Sequence, residues 1–88
     1  MENDLENRLN GIAYKTKTRW ELYKDPNTFC NEYRFWYIKD GIEHLVVCVD
    51  EDAVLIGFEE DMKDTPSFLN VVEYDVQSRI DRGEFVDV

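Results

Sequence analysis

The feature that most constrains the fold is the dipeptide Asp40-Gly41, which lies between two segments rich in β-branched, aromatic and other apolar residues. Asp-Gly fits the two-residue hairpin turn, because that turn needs positive φ angles that aspartate and glycine tolerate. We therefore predict that Phe29–Lys39 and Ile42–Asp50 form an antiparallel β-hairpin, with Lys39 opposite Ile42.

The two-residue turn also predicts the register of the hairpin. It places Trp36 opposite Leu45 and Tyr33 opposite Cys48, because paired residues step away from the turn one by one. Cys48 and Cys30 then lie on opposite faces of the sheet, where no disulfide can form. The two cysteines of the chain are therefore predicted to be free thiols, as is usual in a reducing compartment.

The segment before the hairpin predicts one helix and one strand. Glu2–Asn10 has leucines at helical spacing and acids in its first turn, and Gly11 is suited to end a helix. From Tyr14 to Tyr23 the residues alternate in polarity, which is typical of a strand with one buried face.

The segment after the hairpin predicts a further strand and a second helix. Ala53–Phe58 is a short apolar run bounded by acidic residues, and its length favours a fourth strand. Thr65-Pro66 is a good helix start, because threonine caps the first turn and proline needs no hydrogen bond there. An apolar stripe at helical spacing continues from Phe68 to Ile80, and Gly83 ends the helix.

These elements predict an α+β fold. It consists of a small antiparallel sheet of three to four strands, with its β-hairpin at Asp40-Gly41, flanked by a short N-terminal helix and a C-terminal amphipathic helix. The length of 88 residues suits a single globular domain over residues 1–88. One face of such a sheet stays open, and its large aromatic residues make it a candidate contact surface.

The charge of the chain is strongly acidic and unevenly distributed. Twenty acidic residues against ten basic ones give a net charge of −10. Residues 1–44 have a net charge of −1, whereas residues 45–88 have a net charge of −9. The excess lies in two predicted loops, Asp50–Asp52 and Glu59–Asp64, and along the C-terminal helix. A fixed negative field of this kind attracts basic surfaces and repels nucleic acid.

No pattern in the sequence predicts a catalytic residue, a metal site or a cofactor. His44 is the single histidine, and the predicted strand places it about 13 Å from Cys48, too far for a nucleophile and its base. The paired cysteine spacing of zinc sites and the alternating carboxylates of calcium loops are both lacking. We therefore expect a protein that is not an enzyme.

No membrane association is expected either. The chain has no apolar run of the length that crosses a bilayer, and its N-terminus is acidic where a secretory signal is basic. The sequence predicts a cytoplasmic protein, in the host cytoplasm if a phage encodes it.

The charge and size together predict a small acidic inhibitor of phage or mobile-element type. By analogy of size and charge with anti-CRISPR, anti-restriction and other DNA-mimic proteins, it would occlude the basic nucleic-acid-binding surface of a partner such as a nuclease. The analogy rests on no sequence motif. The residues predicted to bind this partner are the following acids: Asp50, Glu51, Asp52, Glu59, Glu60, Asp61, Asp64, Glu73 and Asp75.

Two other interpretations of the sequence stay open. In the first, the chain is a structural or regulatory domain without enzymatic activity that self-associates through its sheet, for example as a homodimer. In the second, the acidic surface only keeps the protein in solution. The sequence does not choose between them.

Overall fold

The protein is described by a computed structural model that covers residues 2–28, 30–61 and 68–86. Its chain runs through six elements: α1 (Glu2–Thr16), β1 (Thr18–Lys24), β2 (Asn31–Lys39), β3 (Ile42–Asp50), α2 (Glu51–Asp61) and α3 (Phe68–Arg82). The three strands form an antiparallel sheet in the order β1-β2-β3. The predicted α+β fold, with a helix at each end of a small antiparallel sheet, is confirmed.

All three helices pack against one face of this sheet. A single buried cluster joins residues of every helix to residues of β2 and β3: Leu9, Ile12, Tyr33, Phe35, Val46, Val47, Val54, Leu69, Val72 and Val76. The opposite face bears the side chains of the alternate strand positions and is called the open face below. Among the described residues, no helix is long and apolar enough to cross a membrane.

Helix α1 is longer than predicted. It continues through Gly11 to Thr16, so the predicted helix end at Gly11 and the predicted strand start at Tyr14 are wrong. Burial of the apolar side explains the difference, because Ile12 continues the buried stripe that begins at Leu9. The chain turns into β1 only at Lys17, which adopts a left-handed φ of 59°.

The β2–β3 hairpin is confirmed with its predicted two-residue turn, and Trp36 pairs with Leu45 as predicted. Beyond this pair, β3 contains a bulge that shifts the register by one residue, so that Phe35 pairs with Val47 rather than Val46. Both valines are buried. A bulge inserts an extra residue into one strand and thereby lets two successive side chains reach the core.

The bulge also changes the face on which Cys48 lies. Cys48 now pairs with Arg34 and shares the open face with Trp36, whereas Cys30 precedes β2 and lies in no strand. The two residues are not held on opposite faces as predicted. The prediction of two free thiols is nevertheless confirmed, and both are exposed.

The predicted fourth strand is wrong. Ala53–Phe58 belongs to helix α2, which follows β3 without an intervening loop. Asp50 begins this helix, because its carboxylate accepts the backbone N–H of Asp52 at 3.0 Å. A short apolar run fits both a strand and a helix, and here the cap decides for the helix.

The C-terminal helix α3 ends at the predicted position. Gly83 adopts a positive φ of 70°, its N–H donates to the carbonyl of Ile80, and the N–H of Glu84 donates to the carbonyl of Arg79. This pair of hydrogen bonds is the Schellman motif, which favours glycine. The predicted helix start at Thr65-Pro66, like the predicted strand start at Phe29, lies outside the described residues.

Candidate protein interface on α2

The negative charge of the protein is concentrated in α2. This helix contains five acidic residues and no basic one, so it contributes half of the net charge of −10. The predicted acidic turn Asp50–Asp52 and the first half of the predicted loop Glu59–Asp64 are the two ends of this one helix. The structure therefore replaces two separate acidic loops with a single acidic element.

The acids at the start of α2 also stabilise the fold. Asp50 caps the helix, and Glu51 accepts a hydrogen bond from the side-chain amide of Asn31 at 2.9 Å. Their charge is favourable there, because the N-terminal end of a helix is electropositive. Asp50 and Asp52 are both exposed, and Asp50 is the one whose carboxylate caps the helix.

The solvent side of α2 combines acidic and apolar residues. Ile56 is 63% exposed and Leu55 is 41% exposed, whereas Val54 is only 1% exposed and packs in the core. At 100° per residue, positions 59 and 60 fall on the same side of the helix as Asp52, Leu55 and Ile56. We call these five residues the α2 face. Of the other predicted acids, Asp61 ends α2 and Asp64 lies outside the described residues.

Sequence reasoning missed the two exposed aliphatic residues of the α2 face. The sequence analysis assigned Leu55 and Ile56 to a fourth strand and included only acidic residues in the predicted binding surface. The spacing of the acids around them indicated a helix. Asp52 precedes the two aliphatic residues by three and four positions, and Glu59 and Glu60 follow them at the same helical intervals. In a helix, this spacing gathers acids and aliphatics on one side.

The two predicted acids on α3 are each engaged by a basic residue. Glu73 forms an ion pair with Lys15 of α1 at 3.9 Å. Asp75 forms an i, i+4 pair with Arg79, at 3.3 Å. Glu73 also lines a groove between α1 and α3, of about 140 Å³, beside Gly11. Because of these pairs, Glu73 and Asp75 contribute less negative field than the acids of α2.

On the open face of the sheet, arginine side chains pair with aromatic rings of the same face. The guanidinium of Arg19 lies 5.4 Å from the ring centre of Trp36, and that of Arg34 lies 3.7 Å from the ring centre of Tyr23. The indole N–H of Trp36 donates to Glu21 at 2.9 Å. Stacked arginines therefore cover the aromatic rings that were predicted as a contact surface.

Carboxylates hold both of these arginines. Arg19 forms a two-pronged pair with Glu43, with nitrogen–oxygen distances of 2.5 and 2.9 Å. Arg34 donates to Glu32 at 2.6 Å. These bonds raise the pKa of both arginines, and the Arg19 guanidinium lowers the pKa of Glu43. Their charges are thus already compensated, which disfavours the open face as a phosphate-binding surface.

His44 and Cys48 do not form a catalytic pair. His44 stacks on Phe85 with ring centres 4.6 Å apart, and the bulge turns Cys48 toward the open face beside Arg34. Desolvation and the nearby Glu32 carboxylate raise the pKa of the Cys48 thiol, which lowers its reactivity at neutral pH. Within residues 2–28, 30–61 and 68–86, no group of three His, Cys, Asp or Glu side chains could hold a metal ion.

Comparison with known proteins gives no functional assignment. No protein-family model, no curated protein and no solved structure matches this chain.

Proposed function

We propose that this protein binds, through the α2 face, a basic surface of a partner protein that normally holds nucleic acid, and so occludes that surface. The observation that carries the proposal is the charge of α2, an 11-residue helix with five acids and no base. Such a helix is about 16 Å long. Its acids form two groups, at residues 51–52 and 59–61, that are separated by about 10 Å along the helix axis.

The position of the acids in α2 supports a binding role. Glu59, Glu60 and Asp61 occupy the last turn, where no basic residue accompanies them. Acids at the C-terminal end of a helix oppose its dipole and destabilise it by about 0.3–1 kcal/mol each at low salt. Because these acids weaken the helix that contains them, their value lies in an interaction outside the helix.

The exposed aliphatic residues support a protein partner rather than a simple solubilising surface. A solvated acidic helix gains nothing from Ile56 and Leu55 on its outer side. Protein interfaces combine a small apolar centre with a charged rim, and the α2 face has both. Charge would then speed the encounter and orient the partner, while the aliphatic side chains would add buried area.

The proposal includes inhibition of an enzyme that acts on nucleic acid, such as a nuclease, with no enzymatic activity, cofactor or direct nucleic-acid binding of its own. The phage or mobile-element origin, the cytoplasmic location and the single domain stay predictions from the sequence. A second candidate function, self-association through the sheet, is favoured by one specific observation: among the described residues, the outer edge of β1 has no backbone partner.

The proposed function is tested by capture and competition. Full-length protein is used to capture partners from its source cells or their host, and each captured protein is purified for binding measurements. We expect a basic nucleic-acid-binding enzyme whose binding to DNA or RNA is lost when this protein is added. The dissociation constant should rise steeply between about 50 and 300 mM salt, because screening weakens charge pairs. Capture of partners that keep their nucleic-acid binding would contradict the proposal.

Two triple variants with equal net charge locate the binding surface. Asp52→Asn/Glu59→Gln/Glu60→Gln neutralises the α2 face. The control removes three charges elsewhere, through Glu6→Gln/Asp40→Asn/Asp81→Asn, at exposed positions on other elements. We expect the α2 variant to bind at least about tenfold more weakly and the control to bind nearly as wild type. Equal losses in the two variants would show that only net charge matters.

A further inference from the structure

We propose that two copies of this chain associate edge to edge through β1, in an antiparallel register centred on Trp20, to form one continuous six-stranded sheet. The proposal does not depend on the function proposed for the α2 face. It commits to a second copy of the chain as the occupant of this edge.

The two edges of the sheet differ in their backbone hydrogen bonding. At the β3 edge, the N–H of Val86 donates to the carbonyl of Leu45 at 2.7 Å, and Phe85 stacks on His44. The chain itself thus covers part of this edge. At the other edge, the described residues offer β1 no backbone partner besides β2. An edge strand with unpaired N–H and C=O groups is a template for another strand.

The order of charges along β1 favours a register centred on Trp20 over the registers centred on its two neighbours. If the two-fold axis passes through Arg19, two arginines face each other, and if it passes through Glu21, two glutamates do. With the axis at Trp20, Arg19 of each copy lies directly opposite Glu21 of the other. Opposite charges then pair twice on the open face, whereas like charges directly opposite are unfavourable.

The same register pairs apolar groups on the helix side of the sheet. Trp20 meets its own copy at the axis, and Thr18 lies opposite Leu22. Trp20 is held in place for such a contact, because its ring lies 5.7 Å from that of Tyr33 and its indole N–H donates to Asn10 at 2.7 Å. Its partly exposed surface would be covered by the second indole, and pairs of aromatic residues across strands stabilise sheets.

Net charge opposes this association. Each copy has a net charge of −10, so two copies repel each other at low salt. Added salt screens this long-range repulsion more than the short-range contacts at the strand edge. Dimerisation should therefore strengthen as salt rises, which is the reverse of the behaviour expected of the α2 face with a basic partner.

Disulfide cross-linking between two cysteine variants tests the register directly. Arg19→Cys and Glu21→Cys are made separately in full-length chains that also have Cys30→Ser and Cys48→Ser. In the proposed register, a mixture of the two proteins brings Cys at 19 opposite Cys at 21, at a Cα separation of about 4.5–5.5 Å that suits a disulfide. The reciprocal Glu21–Arg19 pair stays intact in this mixed dimer, so one of the two charge pairs is retained.

The mixture has a clear expected result. After mild oxidation, mixed disulfide dimers should make up nearly all of the cross-linked product. Unselective collisions would give mixed dimers as about half of the product, and registers centred on Arg19 or Glu21 would give mainly one of the two homodimers. Either of these results would overturn the proposed register. Circular dichroism verifies that both variants are folded.

Sedimentation equilibrium of the unmodified protein tests the association itself. From about 10 µM to about 1 mM protein, we expect the average mass to rise from 10.5 kDa toward twice that value. The rise should be larger at about 500 mM than at about 50 mM salt. A mass that stays at that of one chain in both salts would overturn the proposal and leave the function proposed for α2 untouched.

Two charge-reversal variants separate the β1 edge from the rest of the protein surface. Glu21→Lys places a cation opposite Arg19 of the second copy, and we expect the dimer to dissociate about tenfold more readily. Asp81→Lys makes the same change of charge at an exposed position of α3, on an element that does not include Arg19 or Glu21. It should not weaken the dimer. Equal weakening by both variants would contradict the edge assignment.

Discussion

Arg19 and Glu43 connect the two outer strands of the sheet across its open face. Their side chains form a two-pronged ion pair above the central strand, and the guanidinium lies over the ring of Trp36. The pair joins residues 24 positions apart in sequence. Because β1 and β3 are not hydrogen-bonded to each other, this side-chain contact links the two outer strands across β2.

The first prediction concerns the titration of Glu43. Its pKa lies below the ordinary value because of the hydrogen bond and charge of Arg19. A carboxylate with a depressed pKa stabilises the folded state above the unfolded-state pKa of about 4.3, and this contribution is lost as pH falls through the folded pKa. NMR titration of the Glu43 carboxyl should therefore show a low pKa that rises toward the ordinary value in Arg19→Gln.

A second variant controls for the loss of one positive charge. Lys24→Gln removes a cation from the same strand without touching Glu43. We expect it to leave the Glu43 titration nearly unchanged, because exposed charges are screened within about one Debye length, about 8 Å at physiological salt. An equal rise of the Glu43 pKa in both variants would mean that the ion pair with Arg19 is not formed in solution.

The second prediction concerns Gly11, which lies in the interior of α1. A Cβ atom added there would meet no atom within 4 Å, and glycine destabilises a helix interior by about 0.5–1 kcal/mol relative to alanine. Gly11→Ala should therefore raise the free energy of unfolding by about that amount, as measured by urea denaturation. A decrease would show that α1 does not continue through this residue.

Gly83 provides the opposite case. It also has open space around its Cα, but its φ is +70°, and L residues with a Cβ adopt this conformation at a cost of about 1–2 kcal/mol. Gly83→Ala should therefore lower the free energy of unfolding by about that amount. The two variants make the same chemical change, so opposite signs would separate helix interior from helix end.

The elements that the sequence predicted best are those set by local turn chemistry. Asp40-Gly41 fixed the hairpin and its first register pairs, and Gly83 fixed the end of α3. The failures occurred where packing decides. The bulge in β3 arises because both Val46 and Val47 are buried, and alternation along one strand cannot reveal an extra residue.

The sequence predicted the acidic residues of the candidate site but not the helix that contains them. The acidic residues on both sides of Ala53–Phe58 were identified, yet the apolar run between them was assigned to a strand. Asp50 was interpreted as part of a turn, whereas its carboxylate caps α2. An aspartate that follows a strand fits a turn as well as a helix cap. Only the hydrogen bond from the N–H of Asp52 shows that Asp50 is a cap.

The third prediction compares Asp50, which caps α2, with Asp52, which does not. Asp50→Ala removes the cap of α2 and should lower the free energy of unfolding by about 1 kcal/mol, whereas Asp50→Asn should retain most of it, because asparagine also caps helices. Asp52→Asn, two residues further, should change stability much less, because its exposed side chain has no capping role. Urea denaturation of the three variants checks this order. A loss of stability in Asp52→Asn as large as in Asp50→Ala would contradict the cap.

The fourth prediction concerns the acids in the last turn of α2. The C-terminal end of a helix is electronegative, so Glu60→Gln/Asp61→Asn should raise the free energy of unfolding by about 0.5–1 kcal/mol at low salt. The gain should shrink at about 1 M salt, where the Debye length is about 3 Å. Urea denaturation at the two salt concentrations measures both effects.

The matched change at the other end of the same helix should have the opposite sign. Glu51→Gln/Asp52→Asn also removes two charges from α2, but the N-terminal end of a helix favours acids, and Glu51 accepts a hydrogen bond from Asn31. If both double variants stabilise the protein, repulsion by the net charge dominates and the helix dipole does not decide. If only the C-terminal double variant stabilises the protein, its acids lower the stability of the native fold. This pattern is expected where function and stability conflict.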